Sequence, residues 1–494
     1  MDMVNSVMWF TIAFVITAVI SKVAKGRIIS HPVSNRPLPP MVTGASLIRL
    51  LYTLLTKGFR AMLHDQYTKL GSLFAINYFG RKVTFFVGPE VSCYFFQGSD
   101  SEISYGNILE FTVPMFGKEV GHGVDMTTRN DQNRFVSDAL TPAKLRCHVA
   151  PMLQEVQDYF AKWGQEGTVD IKEELERLLM LISGRCLLGK EVREKMFGEV
   201  LTLLHQLFDN GLRLTSLFFP YAPTLANVRR DKARMKLSEL FSKVVRSRKI
   251  SNHVEKDVLQ NLVDSKYRDG RFTTEAEVTG LIISMIFAGK HTSSATSAWT
   301  GALLLTHPPW LDAAVEEQEQ IIRKHGQHID YNVLQEMDTM YCCIKETLRM
   351  HPPAPMFLRT VHKNFTVRTR EGGEYEILSG DTIASPVLFN SNIPYIYKNP
   401  NVYDPERFGP SRQEDKVGGK FSYTAFGGGR HACVGENYAY MQIKVIWSHL
   451  LRNFELELVS PFPQTSWKNL VPEPKGKVMV SYKRRKVPLG IKGR

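Results

Sequence analysis

The ten residues 426–435 contain the side chain best suited to chemistry in this chain. Their sequence, FGGGRHACVG, places Cys433 after three successive glycines and the pair Arg430 and His431. Glycine lets the backbone turn tightly and approach a flat ring closely, and the two basic side chains can pair with carboxylates on such a ring. A cysteine thiolate bound to haem iron pushes electron density onto the metal and favours O–O cleavage. The segment therefore predicts a loop that presents Cys433 to haem iron, with a buried structural cysteine as the alternative.

The longest helical pattern of the chain begins at Thr274. Thr274 and Glu277 have the spacing of a capping box, in which a threonine at the N-cap is paired with a glutamate three residues on. An apolar run follows, and the two prolines at 308–309 close it. The pattern predicts one helix of roughly 33 residues, about 50 Å long at the usual rise per residue. A helix of that length would cross the whole domain.

The middle of this predicted helix carries residues that weaken a helix. Residues 287–294, FAGKHTSS, combine a glycine with a cluster of hydroxyls, and such residues are unfavourable in a helix interior. A local inconsistency inside a strong element often marks a functional site. His291 can relay protons near neutral pH. Two interpretations of Thr292 stay open: a catalytic hydroxyl, or a hydroxyl bonded back to a helix carbonyl.

Composition narrows the classes of function. The chain has 494 residues and a formal net charge of +13, and no nucleic-acid motif accompanies that charge. A basic surface suits an anionic membrane or an acidic protein partner. The six cysteines include no Cys-x-x-Cys pair, so we do not expect a zinc framework. Their scatter along the chain predicts reduced thiols in a cytosol-facing domain.

The N-terminus predicts attachment to a membrane. Residues 3–21 are nearly free of charge and just long enough for a spanning helix. Basic residues follow this stretch, which places the rest of the chain in the cytoplasm. We therefore expect a retained signal anchor over 1–27, with a cleaved secretory peptide as the alternative. Because of its prolines, we expect a stiff hinge over 28–40. No second linker follows, so residues 41–494 are predicted to form one catalytic domain.

Patterns beyond the hinge favour helix over strand. Residues 72–77 and 82–87 predict two short strands, whereas the pattern between 140 and 307 is mostly helical. Glu346 and Arg349 lie three residues apart on a predicted helix that ends before two prolines. At that spacing the two charges can pair on one face of the helix.

These motifs together resemble the cytochrome P-450 superfamily. The segment around Cys433 is similar to its haem-thiolate signature, and residues 288–292 are similar to its oxygen-activation motif. The resemblance runs from residue 40 to the end and implies the cytochrome P-450 fold, mainly α with small β-sheets, behind an N-terminal membrane anchor helix. Within the superfamily, the chain looks most similar to the plant sterol 14α-demethylases, which act on obtusifoliol. The segments that carry this similarity are residues 112–120, 287–294, 316–320, 345–353, 426–431 and 446–456.

The resemblance also implies roles for single residues. Cys433 would be the iron ligand, and Thr292 with His291 would deliver protons to dioxygen. The residues implied to bind haem b are Cys433, Phe426, Arg430, His431 and Arg359, with the basic ones as propionate partners. Arg407 is implied to join the Glu346–Arg349 pair in a buried structural triad of charges. The candidates for the substrate cavity are Tyr105, Phe111, Phe116, His122 and Met356, each of which can equally be a core residue.

The chain departs from the demethylase pattern where that family lines its cavity. His122 replaces an aromatic residue and Gly123 replaces an aspartate, for which Asp125 can substitute only with a shift of register. Leucine and threonine at 214–215 replace a Pro-Ile pair, and the loop 471–474 is atypical. A kept catalytic core with a changed cavity wall favours hydroxylation or epoxidation of a β-amyrin-type triterpenoid in plant defence, as in a grass offshoot of the family. The alternative is obtusifoliol 14α-demethylation, with neutral drift in the loop.

The resemblance implies the same partners for either reaction. Electrons would come from NADPH through a flavoprotein, NADPH–cytochrome P-450 reductase, and the substrate would be a hydrophobic triterpenoid or sterol. The protein would cross the endoplasmic reticulum membrane once, with its catalytic domain in the cytosol and no nucleic-acid partner. Two other classes stay open. One is an isomerase or dehydratase that uses peroxides, against which Thr292 argues, and the other is a non-enzymatic, haem-bearing sterol-binding protein.

Overall fold

The computed structural model describes residues 36–42, 45–78, 81–251, 255–486 and 489. The predicted anchor and the first part of the predicted hinge therefore lie outside the described residues. Within the described ranges, no helix has both the length and the apolar composition that a membrane crossing requires.

Helices make up most of the described chain, and the strands are short. In chain order, helices α1 to α18 are Ala45–Lys57, Phe59–Leu70, Pro89–Gln97, Val113–Phe116, Met126–Ala139, Pro142–Phe160, Ile171–Ser183, Lys190–Lys195, Phe197–Gly211, Leu214–Phe218, Leu225–Ile250, Val258–Val263, Glu275–Thr306, Pro308–His325, Tyr331–Gln335, Asp338–Met350, Val387–Asn390 and Glu436–Asn453. Strands β1 to β13 are Met41–Val42, Leu73–Tyr78, Arg81–Phe86, Ile103–Ser104, Glu166–Asp170, Phe357–Val361, Phe365–Arg368, Glu374–Ile377, Thr382–Ser385, Phe454–Leu458, Thr465–Ser466, Glu473–Pro474 and Met479–Arg484. The prediction of a mainly α fold with small sheets is confirmed.

The described chain divides into two compact units. The first unit comprises residues 36–108, Pro355–Pro400 and Glu414–His431. The second unit comprises Leu109–Ala354, Asn401–Gln413 and residues 432–489. Each unit is described separately below.

The first unit is built on a six-stranded mixed sheet with the order β1-β2-β3-β9-β6-β4. The two strands predicted from the sequence are β2 and β3, which pair antiparallel and place Leu73 opposite Phe86. Residues 36–40 of the predicted hinge belong to this unit. The carbonyl of Pro37 accepts a hydrogen bond from the N–H of Glu376 on β8, and the carbonyl of Pro40 accepts one from the N–H of Ala75 on β2. Apolar side chains from the sheet, α3 and the loops form its core: Leu73, Phe86, Val91, Phe95, Phe96, Ile103, Val361, Val367, Ile377, Ile383 and Phe421.

The second unit is organised around α13, the 32-residue helix Glu275–Thr306. The predicted capping box is present: Thr274 Oγ1 accepts from the Glu277 N–H, and the Glu277 carboxylate accepts from the Thr274 N–H. Helices α7, α11, α16 and α18 pack against α13. Residues 278–283 and 295–304 are consequently buried without exception. A three-stranded antiparallel sheet, β10-β13-β5, completes this unit together with the β11-β12 pair.

Two glycines of α13 provide a test of how tightly the helix is packed. A Cβ atom added to Gly301 would meet the ring of Trp447, whereas one added to Gly289 would meet nothing within 4 Å. We expect Gly301→Ala to lower the free energy of unfolding by about 1–3 kcal/mol, because it overpacks the core. Gly289→Ala should raise it by about 0.5–1 kcal/mol, because alanine is the better helix former. Urea denaturation followed by circular dichroism measures both, and shifts of the same sign would contradict this packing.

Candidate active site

Glycines shape the loop that leads to Cys433. In the first unit, Gly427 and Gly429 have φ values of 72° and 65°, which other residues rarely adopt. A Cβ atom on Gly429 would collide with the backbone carbonyl of Phe96. Residues Gly429–His431 form one turn of 3-10 helix that rests on α3. The glycines are therefore required for a close approach between two backbone segments, as well as for the turn itself.

Cys433 follows in the second unit and is accessible. Its side chain is exposed, whereas Cys186 and Cys343 are buried. This exposure favours the interpretation of Cys433 as a metal ligand over that of a buried structural cysteine. Packing around the sulfur, together with the charge of Glu436, raises the pKa of the Cys433 thiol. The thiol is therefore protonated near neutral pH, and a bound metal would have to displace the proton to gain a thiolate ligand.

The side chains that could bind a metal indicate which kind of metal group fits Cys433. No cluster of three or more His, Cys, Asp or Glu side chains occurs among the described residues. A bare ion needs several protein ligands, but an iron porphyrin brings four nitrogen ligands of its own and needs one strong protein donor. One exposed cysteine on a glycine loop fits an iron porphyrin.

The packing around α13 opens at one stretch in its middle. Ala288 is exposed, Gly289 has open space beside it, and His291 and Thr292 are half-buried. Phe287 begins this stretch and lies edge-on to Phe116 at 5.3 Å between ring centroids. Residues 278–283 and 295–304 on either side are buried, whereas Ser284, Met285 and Ser294 next to this stretch are half-buried. A small molecule can therefore reach helix side chains between those two buried runs.

The Thr292 hydroxyl donates back to the carbonyl of Ala288 at 2.7 Å. Thr296 and Thr300 make the same bond to the carbonyls four residues before them, both at 2.8 Å. The helix is continuous through these positions. The back-bonded interpretation of Thr292 thus describes its geometry. The hydroxyl oxygen still has acceptor capacity, and only Thr292 of these three threonines lies on the open stretch.

Charged side chains surround His291 on three helices. Burial, and after it the charge of Lys290, lowers the pKa of His291, while Glu176 and Asp209 act in the opposite direction. Lys290 is itself buried and pairs with Glu176 on α7, with 3.2 Å between Nζ and Oε1. A neutral imidazole has one donor and one acceptor nitrogen, which suits proton transfer. The sequence analysis missed the Lys290–Glu176 pair, because nothing local links residues that far apart in the chain.

Glu346, Arg349 and Arg407 form a buried charge cluster in the second unit. Arg349 donates to both carboxylate oxygens of Glu346, at 2.6 and 2.8 Å, and Arg407 Nε donates to Oε1 at 3.0 Å. All three side chains are fully buried. Glu346 Oε1 also accepts from the backbone N–H of Asp404. The carboxylate thus joins α16 to the segment that contains Arg407.

The residues expected near haem propionates differ in exposure. Arg359 lies on β6 and is only 4% exposed, with its guanidinium 3.6 Å from the ring centroid of Tyr105. The Arg359 side chain is therefore buried against an aromatic ring. Arg430 is exposed and Phe426 is half-buried. His431 Nε2 lies 2.6 Å from a carboxylate oxygen of Asp100, a partner that the sequence analysis missed.

The five cavity candidates are all half-buried, and none is fully enclosed: Tyr105, Phe111, Phe116, His122 and Met356. Phe116 has the clearest position, because its partner Phe287 begins the open stretch of α13. Phe208 on α9 also lies edge-on to Phe287, at 5.2 Å. The three rings form one aromatic cluster beside the open stretch. Their roles toward a substrate stay predictions.

The loop that departs from the demethylase pattern has a defined conformation. A Cβ atom on Gly123 would lie 2.5 Å from the carbonyl oxygen of Lys118, so no larger residue fits this backbone. Asp125 is the N-cap of α5 and accepts from the N–H groups of Thr127 and Thr128. Asp125 therefore caps a helix.

Comparisons with known proteins identify the family. The model described as Cytochrome P450 matches residues 39–480. The chain belongs to the cytochrome P450 family. The exposed Cys433 thiol is in keeping with the haem that this family implies.

Individual relatives show which members of the family this cytochrome P450 resembles. It is 52% identical over 453 residues to obtusifoliol 14-alpha demethylase of Sorghum bicolor, covering 92% of each chain. It is 52% identical to sterol 14-demethylase of Arabidopsis thaliana, again covering 92% of each chain. Lanosterol 14-alpha demethylase of Bos taurus is 32% identical, with 86% of this chain and 83% of that protein covered. The resemblance to plant sterol demethylases is confirmed.

The architecture is also that of a solved cytochrome P450. The structure described as retinoic acid bound cyanobacterial CYP120A1 superposes with a TM-score of 0.77 at 20% identity. The superposition covers 92% of this chain and all of that chain. At this identity the likeness concerns the fold, and the cytochrome P-450 fold predicted from the sequence is confirmed.

The buried charge cluster gives a prediction about stability. Glu346→Ala would leave two buried guanidinium groups without the carboxylate that they share, so we expect the free energy of unfolding to fall by about 3–5 kcal/mol. Glu319→Ala is the matched control, because it removes a carboxylate from an exposed pair with Arg323 and should cost less than about 0.5 kcal/mol. Urea denaturation measures both variants. Equal losses would contradict the importance of this buried cluster.

Proposed function

We propose that the chain is a haem-thiolate monooxygenase that oxidises a sterol or a sterol-like triterpenoid. The observation that carries this proposal lies within the second unit, which combines an exposed thiol at Cys433 with an open stretch on an otherwise buried helix. The thiol supplies the ligand, and the open stretch supplies room for a hydrophobic molecule beside groups that can transfer protons. Family membership adds haem b as the cofactor.

Cys433 is the proposed ligand of the cofactor, and the residues around it determine how the cofactor is bound. The Cys433 thiol would give up its proton to serve as the iron ligand, and the glycines before it would allow the loop to pass close to a flat ring. When bound, haem supplies the oxidising chemistry with dioxygen and electrons, and the protein supplies position and electronics. Arg359, Arg430 and His431 remain the proposed partners of the propionates, with Phe426 beside them.

His291 and Thr292 handle protons on the open stretch of α13. Burial keeps the His291 imidazole neutral near pH 7, so one ring nitrogen can accept a proton while the other donates. The Thr292 hydroxyl oxygen can accept a hydrogen bond from water while its own proton points to Ala288. This arrangement holds a water at the helix without opening the helix. The aromatic cluster of Phe116, Phe208 and Phe287 keeps the adjoining space apolar.

The proposed monooxygenase reaction needs a source of electrons, and the N-terminal sequence supports a cellular location. A monooxygenase of this kind takes electrons from NADPH through a flavoprotein reductase, and the net charge of +13 suits an acidic partner. The apolar stretch 3–21 supports a single-pass anchor in the endoplasmic reticulum membrane, with the catalytic part as one cytosolic domain over 41–494. A sterol or triterpenoid dissolves in that membrane.

Sterol 14α-demethylation is the first candidate for the reaction. Relatives with that name match 92% of the chain at 52% identity, which favours demethylation over the β-amyrin reaction that the sequence departures favoured. The second candidate, oxidation of a β-amyrin-type skeleton, rests on the loop around Gly123. There the backbone leaves no room for a side chain, and Asp125 is engaged as a helix cap.

A matched pair of threonines tests the catalytic hydroxyl. Thr292→Val and Thr296→Val each remove a hydroxyl that donates to the carbonyl four residues before it, but only Thr292 lies on the open stretch. We expect Thr292→Val to lower the product formed per NADPH consumed by about tenfold, because a positioned proton-transfer group is lost. Thr296→Val should change it less than about twofold. Similar losses in both variants would reduce Thr292 to a structural role.

A feeding experiment tests the substrate. The full chain is produced in yeast with a plant reductase, obtusifoliol or β-amyrin is supplied, and the products are identified by mass spectrometry and NMR. Loss of the 14-methyl group of obtusifoliol is the expected result. Hydroxylated or epoxidised β-amyrin, with obtusifoliol untouched, would establish the second candidate instead. Conversion of neither, with no NADPH consumed, would favour a haem-bearing binding protein.

A further inference from the structure

A carboxylate lies beside the glycine loop. Asp100 lies in the loop after α3, and its Oδ1 atom is 2.6 Å from Nε2 of His431. Both side chains are largely covered, with 17% and 22% of their surfaces exposed for Asp100 and His431. Both residues belong to the first unit. His431 is two residues before Cys433 in the chain.

The hydrogen bond fixes the orientation of the His431 ring. The bond engages Nε2 of His431, so Nδ1 is the ring nitrogen left for another partner. The ring is held from a second direction by Tyr105, whose ring centroid is 5.6 Å away and edge-on. Arg359 in turn covers the face of Tyr105. The imidazole is thus held by groups on two other segments of the first unit.

The backbone around Asp100 is also fixed. Gly429 rests against the carbonyl of Phe96, and the loop after α3 is closed by Ser99, which donates from its backbone N–H and its hydroxyl to Glu102. The carboxylate of Asp100 therefore projects from a structured turn. A rigid acceptor can position its partner, whereas a mobile surface carboxylate cannot.

We propose that Asp100 is a positioning residue: its carboxylate orients His431 and thereby sets how firmly the chain retains haem. Outer carboxylates of this kind fix the ring orientation of histidines at metal sites in the same way. The inference rests on the proposed function, because it takes His431 as a haem partner. It adds a residue to which the sequence motifs assign no role.

The test is a double-mutant cycle read out by haem loss. Asp100→Ala, His431→Ala and the double variant are purified with haem bound, and the rate of haem transfer to apomyoglobin is measured for each. Asp100→Ala should raise the rate by about tenfold. The double variant should lose haem no faster than His431→Ala alone, because Asp100 acts only through His431. Asp100→Asn, which keeps an acceptor oxygen, should fall between Asp100→Ala and the unaltered chain.

Glu102→Gln is the matched control. Its carboxylate lies two residues away but binds Ser99 instead of His431, so its haem-loss rate should stay within about twofold of the unaltered chain. An unchanged rate in Asp100→Ala, or effects that multiply in the double variant, would overturn the proposal. If Asp100→Ala does not fold, Asp100→Asn with and without His431→Ala decides the same question. A chain that never binds haem would reject the proposed function itself, which is a different result from haem binding that ignores Asp100.

Discussion

The burial of α13 is the constraint on which the rest of the second unit depends. Helices pack around Glu275–Thr306 so closely that long stretches on both sides of its middle have no exposed residue. Side chains for chemistry can be presented between those buried stretches, where Ala288 is exposed and His291 and Thr292 are half-buried. A glycine and several hydroxyls weaken the helix there, and the packing of α7 and α11 against it compensates for that weakness.

Buried charges reinforce this arrangement, and each has a partner. The Glu346 carboxylate serves two arginines and a backbone N–H, and the buried Lys290 pairs with Glu176. Charges in an apolar interior are tolerated only when they are paired and hydrogen-bonded. The same logic extends to His431 in the first unit, where Asp100 supplies the partner. Pairing fixes the positions of these side chains, which catalysis and cofactor binding both require.

The sequence predicted those features that depend on interactions between residues close together in the chain. The capping box of α13, the β2 and β3 strands and the accessible loop at Cys433 depend on neighbours in the chain, so motif and periodicity were sufficient. The Asp100–His431 contact, the packing of Arg359 over Tyr105 and the Lys290–Glu176 pair depend on how distant segments meet. No spacing rule predicts such contacts. The identity of the substrate cannot be predicted from local patterns either, because the sequence around Gly123 does not show how tightly the backbone is packed there.

The central claim is that Cys433 binds haem iron as a thiolate. Its most direct test is the absorption spectrum of the reduced, carbon monoxide-bound protein, measured for the unaltered chain, Cys433→Ser and Cys147→Ser. Cys147 is the matched control, because it is also exposed but lies on α6 and does not follow the glycine loop in the chain. The account predicts the red-shifted Soret band of a thiolate-ligated haem in the unaltered chain and in Cys147→Ser, and its loss in Cys433→Ser. The same red-shifted band in Cys433→Ser would contradict it.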